Sequence, residues 1–194
     1  MQQTPNVKER IILGIDPGTA VMGYGLIKET GSKIELISLG VVKMDKIDDH
    51  MLKLQRIFAK TVALIDNYKP DCLAIEAPFY GKNIQVMLKL GRAQGVAMAA
   101  ALSRNVEVTE YSPRKIKQSI TGNGSATKEQ VAAMMQRLLN FTETPEFLDA
   151  TDGLAVAVCH SFQKVAVSKS SGSAKKSYSG WDTFVKDNVK RVVK

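Results

Sequence analysis

Residues 12–27 read ILGIDPGTAVMGYGLI, and they determine how the first two strands are arranged. The first part of this stretch is apolar and β-branched, which predicts a buried strand over residues 11–15. That strand stops at the carboxylate of Asp16, and a Pro-Gly pair then turns the chain. A second strand is predicted over residues 23–28, and the short turn between the two strands predicts an antiparallel pair.

Along the rest of the chain, the pattern of apolar residues predicts a third strand next to the first two. Further strands then alternate with helices. A third strand over residues 34–43 extends the meander, and a helix capped by Asp48 or Asp49 leads to a fourth strand over residues 72–76. The remaining predictions are a helix over 83–103, a strand over 106–111, and helices over 113–120, 131–139 and 148–162. Thr127 with Gln130 fits a capping box, and residues 131–139 continue the helix that it begins. This order is typical of an α/β fold with a mixed sheet flanked by helices.

Two glycines lie one turn apart in the predicted helix over residues 83–103. Glycine inside a helix costs about 1 kcal/mol relative to alanine. Gly91 and Gly95 therefore predict that another backbone packs closely on this helix. That backbone belongs either to a neighbouring molecule at an interface or to the sheet of the same chain.

Length, composition and cysteine content restrict the class of protein. The chain has 194 residues, of which 44% are hydrophobic and 24% charged, as expected of a globular domain. The opening MQQTPNVKER is polar and the apolar run VAMAAAL is too short to span a bilayer, so neither a secretory signal nor a membrane span is predicted. Two cysteines cannot form a disulfide framework, and we expect a cytoplasmic protein.

The net charge of +8 is unevenly distributed along the chain. Residues 80–128 carry 8 Lys/Arg and 2 Asp/Glu, residues 129–163 carry 1 and 5, and residues 164–194 carry 8 and 2. Basic blocks beside an acidic one are expected of a protein that holds a polyanion near a cluster of carboxylates. A soluble surface with uneven charge is the alternative interpretation.

The end of the chain differs in composition from the rest. Residues 164–180 are rich in Ser, Lys and Gly, which predicts a linker. Residues 181–194 place Trp181, Phe184 and three valines on one helical face, which predicts a short amphipathic helix. The sequence thus predicts one domain over residues 1–163 and a basic extension over residues 164–194, which packs on the domain, binds a polyanion or contacts a partner.

Four carboxylates follow a pattern that favours a metal site. Asp16 ends the first predicted strand, Glu76 ends the fourth, and Asp149 and Asp152 lie three residues apart, on one face of the last helix. A cluster of like charges is costly without cations, and carboxylates are ligands that Mg²⁺ prefers. Two Mg²⁺ ions about 4 Å apart can activate water for in-line phosphoryl displacement. The same residues also fit a turn, a strand end and a helix cap, so spacing alone leaves both interpretations open.

Five segments of the sequence occur in one order between residues 11 and 160: ILGIDPGTAVMGYGLI, AIEAPFYGKN, LKLGRAQGVA, YSPRKIKQSITGNGSATKEQV and LDATDGLAVAVCH. Together they resemble the RuvC family of bacterial Holliday-junction resolvases. The resemblance implies a ribonuclease-H-like fold with a five-stranded mixed sheet flanked by helices. It also implies a homodimer that cuts four-way DNA junctions by symmetrical paired nicks, leaving 5′-phosphates, in homologous recombination and repair. The partners that it implies are the branch-migration proteins RuvA and RuvB.

The resemblance also implies roles for individual residues. Two Mg²⁺ ions per subunit, with Mn²⁺ as a substitute, would be held by four catalytic acids: Asp16, Glu76, Asp149 and Asp152. Lys117 and Lys128 match basic residues near the scissile DNA, and Phe79 matches an aromatic that contacts bases at the junction. Taken alone, each lysine also fits a solvated surface and Phe79 also fits core packing.

Three other functions share part of this pattern. The Asp-Pro-Gly-Thr turn also resembles the phosphate-binding turn of actin and sugar-kinase ATPases, but those enzymes need two such domains around a nucleotide cleft. A non-catalytic junction-binding protein does not need the four acids, whose charge opposes DNA binding. A ribonuclease-H-like nuclease that acts on another nucleic acid would be distinguished by its cleavage of an RNA–DNA hybrid.

Overall fold

A computed structural model describes residues 9–78, 81, 83–141 and 148–169, with residues 164–169 described by their backbone alone. Ten elements follow one another in the order that the sequence predicts: β1 Glu9–Asp16, β2 Val21–Thr30, β3 Lys33–Lys43, α1 His50–Tyr68, β4 Cys72–Glu76, α2 Ile84–Leu102, β5 Glu107–Tyr111, α3 Pro113–Thr121, α4 Lys128–Leu139 and α5 Leu148–Lys169.

The strands form one mixed sheet in the spatial order β3-β2-β1-β4-β5. β1 pairs antiparallel with β2, and β2 pairs antiparallel with β3. β4 is parallel to β1, and β5 is parallel to β4. Parallel neighbours need a long crossover, which α1 and α2 provide, whereas the meander needs only short turns. The predicted five-stranded mixed sheet flanked by helices is confirmed.

The two faces of the sheet carry separate apolar cores, because successive side chains of a strand point to opposite faces. Leu13 and Ile15 of β1 pack with residues of α1 and α2. Ile12 packs on the other face with residues of α3, α4 and α5. Burial of each such side chain contributes about 1.5–3 kcal/mol. The alternation also directs Asp16 to the same face as Ile12, where α5 lies.

Helix α5 lies almost backbone to backbone against β1 and β2. A Cβ built on Gly153 would lie 2.6 Å from the carbonyl carbon of Gly23 and from the nitrogen of Tyr24. A Cβ on Gly14 would lie 2.5 Å from the nitrogen of Ala157. Real side chains do not approach backbone atoms this closely, so the packing requires glycine at these positions.

The packing predicted at Gly91 and Gly95 differs from the packing observed. Within the described part of the chain, no atom outside the helix lies within 4 Å of a Cβ built on either glycine. The alternative in which Gly91 and Gly95 press against the sheet is therefore wrong. The close contact between a helix and the sheet is made instead by Gly153 of α5. The place of Gly91 and Gly95 at an interface between molecules remains a prediction. The same helix exposes Ile84 and Leu88, which are 69% and 51% accessible.

A buried polar contact ties α5 to the parallel half of the sheet. The imidazole of His160 is 4% exposed. Its Nδ1 lies 2.9 Å from the hydroxyl oxygen of Tyr111 on β5, and its Nε2 lies 3.3 Å from Sγ of Cys72 on β4. Both ring nitrogens are thus satisfied inside the core, and the contact fixes α5 against β4 and β5.

The ends of two helices refine the sequence predictions. The capping box that Thr127 and Gln130 predict is present, and α4 begins directly after Thr127, at Lys128. α5 runs to Lys169, beyond the predicted end at residue 162, because the sequence KVAVSK contains no glycine or proline to stop it. The predicted helix over residues 181–194 lies outside the described residues, and the boundary between residues 163 and 164 stays a prediction.

No helix in the described ranges combines the length and apolar character of a membrane span.

Candidate metal centre and nucleic-acid interface

The carboxyl ends of β1 and β4 meet at one edge of the sheet. The two strands are parallel neighbours, and Ile15 pairs with Ile75. The next residue on each strand is an acid, Asp16 on β1 and Glu76 on β4. Both carboxylates are therefore fixed by rigid strands at the edge where ligands bind in α/β sheets.

The beginning of α5 brings two more carboxylates to this edge. Asp149 lies in the first turn of the helix and Asp152 lies one turn later. One oxygen from each of Asp16, Asp149 and Asp152 lies within 4.8 Å of the other two. Gly153, which follows Asp152 directly in the chain, packs closely on β2 and so holds this part of α5 beside the sheet.

Basic side chains share the cavity with the acids. A cavity of about 330 Å³ is lined by Asp16, Glu76 and Asp152, and also by Lys117 and Lys128. Ile116 and Val131 contribute apolar walls. Of the residues predicted to contact DNA, the two lysines therefore lie beside the acids, whereas Phe79 lies outside the described residues.

Lys128 makes direct ion pairs with the acids of α5. Its Nζ lies 2.6 Å from Oδ2 of Asp152 and 2.9 Å from Oδ1 of Asp149. Partial burial lowers the pKa of Lys128, but its hydrogen bonds to Asp152 and Asp149 outweigh that effect and raise the pKa above its ordinary value. Lys128 is therefore a permanently charged member of the cluster at physiological pH.

Burial and mutual repulsion make the central carboxylates unusually weak acids. Burial, followed by the charge of Asp152, raises the pKa of Asp16 to about 7. Burial, followed by the charge of Asp16, raises the pKa of Glu76 to about 8. Burial also raises the pKa of Asp152. Each of these groups therefore holds a proton more readily in the folded chain than in the unfolded chain, and a bound cation would oppose this shift.

These shifts predict how stability depends on pH when divalent cations are removed. A raised pKa means that the folded state binds protons more tightly than the unfolded chain, whose carboxyl pKa values are about 4. In a chelating buffer, the thermal midpoint is therefore expected to fall as the pH rises from about 4 through the folded pKa values of Asp16 and Glu76, about 7 and 8. Asp16→Asn is expected to flatten this fall, and an unchanged pH profile in the variant would contradict the assignment.

One residue that holds the centre in place is absent from the sequence predictions. Gln94 of α2 is 7% exposed, and its Nε2 donates to the carbonyl oxygen of Glu76 at 3.4 Å and to Oε2 of Glu110 at 2.7 Å. It thereby ties α2 to the end of β4. The available signal is an amide side chain between small residues in the segment GRAQGVA. Helical periodicity places this side chain on a helix face but does not identify its partner.

The donor set fits a hard divalent cation. The gathered atoms are carboxylate oxygens, and the described part of the cluster contains no sulfur or imidazole ligand. Carboxylates with open positions for water are the coordination that Mg²⁺ prefers. Burial and the neighbouring acids raise the pKa values of Asp16 and Glu76, and added positive charge would stabilise their ionised forms.

Comparison with solved structures defines the class of protein. The structure of Thermus thermophilus RuvC in complex with Holliday junction substrate matches with a TM-score of 0.75 and 31% identity, over 81% of this chain and 96% of that chain. The yeast mitochondrial Holliday junction resolvase Ydc2 shares the fold, with a TM-score of 0.61 and 13% identity. The fold is ribonuclease-H-like, and together with the acidic cluster it defines a metal-dependent nuclease.

Comparison of sequences defines the family. The family model described as "Crossover junction endodeoxyribonuclease RuvC" matches residues 12–160. A protein of that name from Christiangramia forsetii is 59% identical over 186 residues, 95% of this chain and 93% of the relative. Another from Bacteroides fragilis is 55% identical over 188 residues, 96% of this chain and 97% of the relative. The chain belongs to the RuvC family, as its five sequence segments predict.

Proposed function

We propose that the chain is a crossover junction endodeoxyribonuclease that resolves four-way DNA junctions by hydrolysing phosphodiester bonds. The observation that carries the proposal is the cluster of three carboxylates within 4.8 Å at the sheet edge of a RuvC-family chain. Lysines in the same cavity supply the positive charge that attracts a DNA backbone. The solved relative bound to a Holliday junction supports the choice of substrate.

The proposed catalytic residues are the four acids of the centre, which would hold two Mg²⁺ ions: Asp16, Glu76, Asp149 and Asp152. Bound divalent cations would supply Lewis acidity for phosphodiester hydrolysis, and Mn²⁺ would substitute for Mg²⁺. Asp16 and Glu76 contribute rigidity, since each ends a strand of the sheet. Asp149 and Asp152 contribute from one face of α5, whose position is set by its contact with β1 and β2.

Basic and aromatic side chains would position the DNA over these acids. Lys117 lies on the wall of the acid-lined cavity, where its ammonium can contact a phosphate near the scissile bond. Lys128 begins α4 beside the same cavity and is proposed to contact a phosphate as well. Phe79 is proposed, from the family resemblance alone, to stack on a base at the junction.

A homodimer would cut two strands of one junction symmetrically and leave 5′-phosphates that a ligase can seal. The exposed apolar side chains of α2, together with the unobstructed Gly91 and Gly95, support an interface on this helix. RuvA and RuvB are the proposed partner proteins, and homologous recombination and DNA repair in the cytoplasm are the proposed context. The basic extension over residues 164–194 is proposed to follow the nuclease domain.

Removal of divalent cations is expected to abolish cleavage and preserve junction binding. The acids need cations to act on a phosphodiester, whereas the lysines attract the DNA backbone without them. A synthetic mobile four-way junction incubated with the protein in EDTA should shift in a native gel and remain uncut, and added Mg²⁺ should restore paired nicks. Cleavage in EDTA would refute the metal role, and binding without cleavage at any Mg²⁺ concentration would favour a non-catalytic junction-binding protein.

A further inference from the structure

Lys128 and a divalent cation require the same carboxylates. The ammonium of Lys128 bonds to Oδ2 of Asp152 at 2.6 Å and to Oδ1 of Asp149 at 2.9 Å. These two acids, with Asp16, form the group whose oxygens gather within 4.8 Å. We infer that Lys128 is an exchangeable internal counter-ion of the acidic centre, which a divalent cation displaces from Asp149 and Asp152 on binding.

The position of Lys128 suits such an exchange. Lys128 is the first residue of α4, directly after the capping box that fixes the start of that helix. Its side chain is 50% exposed, so a flexible four-carbon stem carries the ammonium between solvent and the acids. Ion pairs with this much solvent access on the lysine side are weak, and a doubly charged cation can replace them.

Lys117 provides a matched comparison within the same cavity. It carries the same charge and lines the same walls as Lys128. Among the described residues, however, no carboxylate oxygen lies within 4.0 Å of the Lys117 ammonium. Removal of Lys117 therefore changes the general electrostatic potential of the cavity, whereas removal of Lys128 also frees two specific carboxylates.

This inference rests on the proposed function. It places the two roles of Lys128 in sequence: first the ion pairs with Asp149 and Asp152, and then the contact with a DNA phosphate. While the ammonium is bound to Asp149 and Asp152, it neutralises part of a cluster that is costly to bury. Once a cation takes those oxygens, the same ammonium is released toward the phosphate contact proposed above. Lys128 thereby couples occupation of the acidic centre to contact with DNA.

The test measures metal affinity without DNA and without cleavage. Mn²⁺ is titrated into the 194-residue chain under argon, at a pH above the pKa values of Asp16 and Glu76. Free Mn²⁺ is followed by its electron paramagnetic resonance signal. Lys128→Gln is expected to bind Mn²⁺ about tenfold more tightly than the unmodified chain. The variant lacks the two ion pairs that compete with the cation, and the loss of a modest competing interaction changes a dissociation constant by about this factor. Lys117→Gln is expected to change the affinity by about twofold at most, and Lys128→Arg, which keeps the charge, should not bind more tightly.

A second readout is the midpoint of thermal unfolding. In EDTA, Lys128→Gln should unfold at a lower temperature than the unmodified chain. Saturating Mn²⁺ should raise the midpoint of Lys128→Gln by more than it raises that of the unmodified chain, whereas the two rises would be equal if Lys128 were a purely structural residue. The exchange would be overturned if Lys128→Gln bound Mn²⁺ with the same affinity as the unmodified chain. It would also be overturned if Lys117→Gln increased the Mn²⁺ affinity as much as Lys128→Gln does. Either result would leave the proposed function intact. Absence of Mn²⁺ binding in all four proteins would overturn both the metal centre and the exchange.

Discussion

Asp16→Asn is expected to abolish junction cleavage and to leave junction binding within about twofold of the unmodified chain. Asp16 ends β1 and has a carboxylate oxygen within 4.8 Å of oxygens of both α5 acids, Asp149 and Asp152. An amide keeps the size of the side chain but loses a charged ligand oxygen. The cleavage rate should fall at least about a thousandfold, comparable to the loss of a principal electrostatic contact in a catalytic centre.

The same substitution is expected to stabilise the fold in EDTA, because burial disfavours the charged form of Asp16 and raises its pKa to about 7. Single-turnover cleavage of a labelled four-way junction, a native gel shift and thermal unfolding would measure the three effects. Asp48→Asn is the control, since this exposed aspartate precedes the cap of α1 and lies outside the acidic group. Cleavage by Asp16→Asn at the rate of the control would remove Asp16 from the site.

Gly153→Ala is expected to destabilise the fold by about 3 kcal/mol, at the upper end of ordinary overpacking. The added methyl would meet backbone atoms of Gly23 and Tyr24 at 2.6 Å, and backbone of a sheet cannot move aside as a side chain can. α5 would have to shift away from β2, and Asp152 would shift with it. Cleavage should therefore fall as well, since displacements of about 1 Å in a catalytic group can cost a hundredfold in rate.

Gly81→Ala provides the matched control for this prediction. It adds the same methyl at a position where, apart from the glycine's chain neighbours, no atom in the described part of the chain lies within 4 Å. We expect it to change the stability of the fold by no more than about 0.5 kcal/mol. Urea unfolding of the two variants would measure the contrast. A Gly153→Ala protein as stable and as active as the unmodified chain would show that the close approach of α5 is dispensable.

The elements that the sequence predicts best are those fixed by local pattern. The β-branched run before Asp16 and the strand CLAIE before Glu76 each predict a strand that ends in an acid, and β1 and β4 do end there. The capping pair Thr127 and Gln130 also predicts the start of α4 closely. Caps, alternation and turns are decided within a few residues, so these features need no knowledge of the fold.

The sequence does not predict contacts between elements that are far apart in the chain and adjacent in the fold. Glycine spacing suggested close packing at Gly91 and Gly95, whereas the closest helix–sheet contact joins Gly153 to β2. The ion pairs of Lys128 join residues 21 and 24 positions apart, and no local pattern distinguishes this lysine from Lys117. Gln94 likewise acquires its role only because α2 crosses the end of β4.

The acidic centre is expected to cut four-way DNA junctions. The most direct measurement incubates the protein and Mg²⁺ with a mobile four-way junction, a linear duplex of the same sequence and an RNA–DNA hybrid, and maps the products on a denaturing gel. We expect paired symmetrical nicks confined to the junction, with the duplex and the hybrid left intact. Cleavage of the hybrid alone, with the junction bound and uncut, would contradict it and would assign the centre to a different ribonuclease-H-like nuclease.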